Sequence, residues 1–137
     1  MKPKVAFICV HNSCRSQMAE AVSKLLASDT FEGYSAGTHR KDQINSDAVK
    51  IVKKHYDYDM SVSQKPKVLE DIPEVDIVIT MGCNVDCPFL PSKHREDWGL
   101  DDPSGLGDEA FELTLQTITT KVNELKKRIQ EGSIKWK

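Results

Sequence analysis

The chain has 137 residues, four of them cysteine, with 39% hydrophobic and 29% charged residues and a formal net charge of −2. That length suits a single domain over residues 1–137 with one buried core, and the composition is that of an ordinary soluble globular protein. The slightly acidic balance excludes a broad basic field for nucleic acid or an anionic membrane, so any anion site must be local, built from backbone dipoles and an arginine.

The apolar run at residues 5–10 is cut by His11, Asn12 and Arg15, too early for a signal peptide, and no apolar stretch approaches membrane-spanning length. A cytoplasmic chain is expected, and there four cysteines point to metal binding or to redox and catalytic chemistry rather than to structural disulfides.

Residues 5–9 (VAFIC) read as a buried parallel strand. Polar residues 11–13 form a tight loop. From Arg15 onward Met18, Ala19, Val22, Leu25 and Leu26 recur at helical intervals. Residues 31–37 read as a second strand ending in Ser35-Ala36-Gly37. Asn45-Ser46-Asp47 opens a helix whose buried stripe is Ala48, Ile51 and Val52. Residues 57–67 read as irregular, 68–72 as one helical turn, and 75–81 as the clearest strand after the first. Residues 82–91 are a loop carrying Cys83 and Cys87. The mixed-charge run 93–97 reads as a solvated loop, and 98–103 as a short strand followed by a turn. A long helix runs from Asp108 to about Gln130, with Phe111, Leu115, Ile118, Val122, Leu125 and Ile129 on its apolar face and Gly132 at its end. Strands alternating with helices predict an α/β fold with a parallel sheet covered on both faces. Ligands then bind beyond the carboxyl ends of the strands, where Cys9 lies and just past which Cys83 follows.

Residues 9–16 (CVHNSCRS) carry the pattern C-x5-R-S between a strand end and a helix start. Backbone N–H groups there lack intrahelical partners and can cradle an oxyanion, so the expected binding residues are Val10, His11, Asn12, Ser13, Cys14, Arg15 and Ser16. The same dipoles favour a thiolate nucleophile at Cys9. Arg15 offers a planar, permanently charged fork for two oxygens of a tetrahedral anion. Ser16 could donate to the sulfur and Asn12 could hold the loop's shape. Alone, the pattern also fits a buried strand cysteine and a surface arginine; the strand–loop–helix context and Ser16 favour the nucleophile.

The stretch 8–20, ICVHNSCRSQMAE, resembles the active-site loop of the low-molecular-weight tyrosine phosphatase fold, and NSCRSQMAE resembles the thioredoxin-coupled arsenate reductases within it. Tyr34-Ser35-Ala36-Gly37, Asp76-Ile77-Val78-Ile79-Thr80 and Trp98-Gly99-Leu100-Asp101-Asp102-Pro103 extend the resemblance across nearly the whole chain. It implies a three-layer sandwich around a four-stranded parallel sheet. It implies Asp102, directly before Pro103, as general acid; Asp101 competes on sequence alone, and an Asp-Pro turn is the bland reading.

A phosphatase needs one thiolate, whereas a thiol-dependent reductase needs further thiols to carry away a disulfide. Cys9, Cys83 and Cys87 suffice for such a relay. The family usually places its second cysteine immediately after the strand; here Gly82 stands nearest that place and Cys83 follows it. The order Cys83 then Cys87 is thus inferred from their order in the chain. Zinc at Cys83, Cys87 and His94 lacks a fourth local ligand. Related reductases can bind potassium through an asparagine, a glutamate, a serine and an aspartate. Asn12, Glu20 and Ser35 match the first three, no carboxylate stands near Lys65-Pro66, and a lysine there could replace the cation. Cys14 is expected to be structural, and His11 could tune the loop. The expected function is a cofactor-free, metal-free monomeric arsenate reductase that takes arsenate or phosphate and a thioredoxin-like reductant. A phosphatase for phosphotyrosine or small phosphate esters is the alternative. An anion-binding or redox-sensing module without turnover is a more distant one.

Overall fold

The structure, a computed structural model, describes residues 2–10, 12, 14–39, 42–82 and 90–137. Four strands, β1 (Lys4–Cys9), β2 (Glu32–Gly37), β3 (Ile77–Thr80) and β4 (His94–Asp97), form one sheet in the order β2-β1-β3-β4, and all three pairings are parallel. Three long helices, α1 (Arg15–Leu26), α2 (Ser46–Tyr56) and a third running over Asp108–Glu131, pack together with the sheet. The one-turn helix Met60–Ser63 precedes that third long helix in the chain, so the turn is α3 and the long helix α4.

Burial follows from strand position. Val5, Phe7 and Cys9 of β1 and Ile77 and Ile79 of β3 face a large cluster completed by Met18 and Val22 of α1, Ile51 and Val52 of α2, and Phe111, Leu115, Ile118, Val122 and Leu125 of α4. The alternate residues Ala6, Ile8, Ala36 and Val78 face a smaller cluster overlaid by Tyr34, Leu69, Ile72 and Leu90. With both faces covered, the central strands are apolar on both sides. Asn45 caps α2, accepting from the N–H groups of Asp47 and Ala48, and Gly132 ends α4 at φ 78°.

Four expectations are corrected. Within the run 93–97, His94–Asp97 form an edge strand rather than a solvated loop, and residues 98–103 contain no strand. Inward-facing His94 and Glu96 are polar, so β4 has no apolar alternation; they are satisfied by each other and by Trp98 and Arg128. Leu25 is 39% exposed and lies outside the buried stripe of α1, where Ser16, Gln17, Glu20 and Ser23 are buried instead. Residues 57–67 are not irregular throughout: they include α3, which buries Met60, and Gln64 is buried after it. Among the described residues no helix is long and apolar enough to cross a membrane.

Candidate active site

Cys9 ends β1, and α1 begins six residues later, so the connecting loop sits at the carboxyl end of the sheet, the usual ligand position in such folds. Cys9 is 4% exposed and its Sγ lies 2.8 Å from Ser16 Oγ. Asn12 Nδ2 donates to the same Ser16 oxygen at 2.8 Å, leaving the hydroxyl hydrogen for the sulfur. Asn12 is fully buried with φ 52°, a left-handed backbone that asparagine tolerates.

Asn12 is itself held from several sides. Its Oδ1 accepts from Gln17 Nε2 at 2.9 Å and from the Lys67 backbone N–H at 2.7 Å. Gln17 Nε2 also reaches the Lys65 carbonyl at 2.8 Å, and Gln64 Nε2 donates to Gln17 Oε1 at 2.8 Å. All these side chains are buried and bonded, and no buried side-chain nitrogen or oxygen among the described residues is left without a partner. Such a satisfied network rigidifies the loop.

Below it, the nearly buried Glu20 carboxylate accepts from Ser35 Oγ at 2.5 Å and pairs with Lys24 and, at 3.1 Å, with Lys67 Nζ. Lys67, just past the Lys65-Pro66 position, also donates from its ammonium to the Lys65 carbonyl. This accounts for Ser35 in the Ser35-Ala36-Gly37 motif. Gly37 is explained by close approach: a Cβ there would lie 2.6 Å from the Val10 carbonyl oxygen, 2.7 Å from that of Cys9 and 2.9 Å from the Asn12 nitrogen.

Arg15 opens α1 and is partly exposed. Its Nη1 donates to the carbonyls of Met81 and Leu100, both at 2.7 Å. Two of the five guanidinium donors therefore tie the end of β3 and the segment after β4 to the nucleophile loop, and three remain on the Nη2 and Nε edge. Asp101 and Asp102 are exposed, and Asp102 Oδ1 accepts from the Ser104 N–H at 3.0 Å. Burial, then the fields of Asp102 and Cys9, push the Cys14 thiol up to about 12, while Arg15 and Ser104 act the other way. Cys14 is thus a neutral thiol at physiological pH, and the acid segment lies within electrostatic reach of the loop.

His11 and Ser13 of the expected anion loop, and Cys83 and Cys87 of the expected relay, lie outside the described residues. His94, weighed as a zinc ligand, is 2.8 Å from Glu96 Oε1. Gln17, Gln64, Lys67 and the carbonyls of Met81 and Leu100 are site components that sequence reading missed. Gln17 and Lys67 carried a signal, one inside the NSCRSQMAE stretch and the other close to the Lys65-Pro66 position.

A buried thiol at the end of β1, an arginine at the start of α1 and a nearby Asp-Pro segment are the arrangement of a phosphatase-loop protein. The sequence matches the low molecular weight phosphotyrosine protein phosphatase family over residues 4–134, and the chain belongs to that family. Within it, the chain is similar to arsenate reductases. It is 36% identical to arsenate reductase 1 of Staphylococcus epidermidis, covering 93% of this chain and 98% of that protein. A solved arsenate reductase in the phosphate binding state superposes with a TM-score of 0.81 at 32% identity, covering 94% of this chain and 99% of that one. A thioredoxin-dependent arsenate reductase of Corynebacterium glutamicum superposes at 0.75 with 32% identity, covering 96% of this chain and 63% of that one.

Proposed function

We propose that the protein is an arsenate reductase using an intramolecular thiol relay. The observation that carries this reading is the buried Asn12–Ser16–Cys9 chain at the mouth of the anion loop, in a chain whose relatives reduce arsenate. Arsenate sits on the loop N–H groups of residues 10–16 and on the outer edge of Arg15. Ser16 donates to the Cys9 sulfur and favours its thiolate. Cys9 attacks arsenic, and Asp102 supplies the proton with which an arsenate oxygen leaves as water.

Cys83 then attacks the Cys9 sulfur. The sulfur–arsenic bond breaks with its electron pair passing to arsenic, which leaves as arsenite, and a Cys9–Cys83 disulfide remains. Cys87 attacks Cys83, freeing Cys9 and leaving Cys83–Cys87 for a thioredoxin-like dithiol. We read the chain as a single-domain cytoplasmic monomer, a compartment in which these thiols are kept reduced between turnovers.

Arsenate-dependent NADPH oxidation with thioredoxin and its reductase tests the reading. Turnover should be lost in Cys9→Ser, Cys83→Ser and Cys87→Ser. No turnover in the unaltered protein, with glutaredoxin and small thiols also tried, refutes it. The family match favours phosphate ester hydrolysis as a second reading, for which Cys9, Arg15 and Asp102 suffice. On that reading, Cys83→Ser and Cys87→Ser keep full activity.

A further inference from the structure

A string of hydrogen bonds runs from Gln64 to the Cys9 sulfur, and backbone groups fix its direction. Gln64 Nε2 faces two oxygens of Gln17, the backbone carbonyl at 3.1 Å and Oε1 at 2.8 Å. A carbonyl only accepts, so this end of the Gln64 amide is its NH2 group. The far end of the Gln17 amide faces the backbone carbonyls of Lys65 at 2.8 Å and Asn12 at 3.1 Å, so it too is an NH2 group. It donates onward to Asn12 Oδ1 at 2.9 Å. Asn12 is oriented independently, because the Lys67 backbone N–H only donates and meets Oδ1 at 2.7 Å. That leaves Asn12 Nδ2 for Ser16 Oγ, and the Ser16 hydrogen for the Cys9 sulfur.

Every donor along Gln64–Gln17–Asn12–Ser16 therefore points toward Cys9. The positive end of each amide dipole faces the sulfur, and hydrogen bonds in series polarise one another in a dry interior. Gln17 is 0% exposed and Gln64 7%. Burying two amides costs desolvation that methionines of similar length would avoid. Gln64 caps the end of α3, which the fully buried Met60 anchors. We propose that Gln64 and Gln17 are positioning residues for the nucleophile, orienting and polarising the Asn12–Ser16 pair so that Ser16 gives its hydrogen to a Cys9 thiolate. This inference rests on Cys9 as nucleophile, which the reductase and phosphatase readings share, and not on the thiol relay.

The experiment follows alkylation of Cys9 by iodoacetamide against pH in the reduced full-length chain, with the modified sulfur located by tandem mass spectrometry. Alkylation reads the thiolate fraction. Gln64→Met fills similar space without a donor. It should move the acid limb of the profile to higher pH by about half a unit, making alkylation on that limb about threefold slower, while the alkaline plateau changes less than about twofold. Gln17→Met, one bond nearer the sulfur, should move the limb further. A second measurement needs neither variant to fold. In the unaltered, isotope-labelled chain the side-chain NH2 resonances of Gln17 and Gln64 should titrate together with Cys9 alkylation, and the same titration should be absent in Cys9→Ser. An unmoved limb in Gln64→Met, a loss of rate equal at every pH, or amide resonances that do not follow Cys9 overturns the role of the glutamines alone. A Cys9→Ser variant that still hydrolyses p-nitrophenyl phosphate and reduces arsenate overturns Cys9 as nucleophile, and this inference with it.

Discussion

Replacing Gly37 by alanine tests how tightly the end of β2 shapes the nucleophile loop. The added Cβ would meet three backbone atoms of that loop: the Val10 and Cys9 carbonyl oxygens at 2.6 and 2.7 Å and the Asn12 nitrogen at 2.9 Å. Restoring 3.0 Å to the nearest oxygen requires movement of about 0.4 Å, and a comfortable 3.4 Å requires about 0.8 Å. No flexible side chain can absorb this, because the neighbours are backbone and Asn12 is locked by Gln17, Ser16 and Lys67. Overpacking of this kind costs about 1–3 kcal/mol of stability. Displacement approaching an ångström in a catalytic group can cost on the order of 100-fold in rate. Gly37→Ala should therefore lower kcat/KM for p-nitrophenyl phosphate by about 10- to 100-fold, with a reduced urea midpoint but a cooperative transition. A folded variant with kcat/KM within about twofold of the original would refute the reasoning, since the loop would then tolerate the displacement that the contact demands.

The Glu96 cluster sets part of the acid limb of stability. Burial alone would raise this carboxyl, but hydrogen bonds from Arg128, His94 and Trp98 hold it at about 2, below its ordinary 4.5. The contribution is complete above pH 4.5, where folded and unfolded chains are both ionised, and is lost as pH falls toward 2 because the unfolded chain protonates first. With Arg128 38% exposed, screening leaves about 1–2 kcal/mol. Glu96→Gln should flatten the pH dependence of the urea midpoint in that window; an identical acid limb contradicts the assignment. Lys67→Met removes one of two ammonium partners from the nearly buried Glu20 but keeps the backbone bond to Asn12. It should lower unfolding free energy by about 1–3 kcal/mol in urea titration, and an unchanged midpoint at unchanged slope counts against the pair.

Parts of the protein governed by local chemistry were legible in its sequence. The C-x5-R-S loop, the Asn45 cap and the α4 stripe each declare themselves within a few residues, and the structure bears out all three as elements. What escaped was long-range and polar. The β4 strand hides because its inward residues are a histidine and a glutamate whose partners include Arg128, 32 residues beyond Glu96. The loop's support escaped for the same reason: Lys67 meets Asn12 across 55 residues and Gln64 meets Gln17 across 47. Arg15 was read as a ligand for an anion alone, yet Nη1 spans 66 and 85 residues to two carbonyls. Backbone acceptors have no residue signature, so that clamp could not be read from residue types.

The relay is tested most directly by mixing the fully reduced chain with arsenate in the absence of any reductant, and counting arsenite and thiols. The account predicts one arsenite released per chain and loss of two of the four thiols. Arsenite without thiol loss, or four intact thiols and no arsenite, would contradict it.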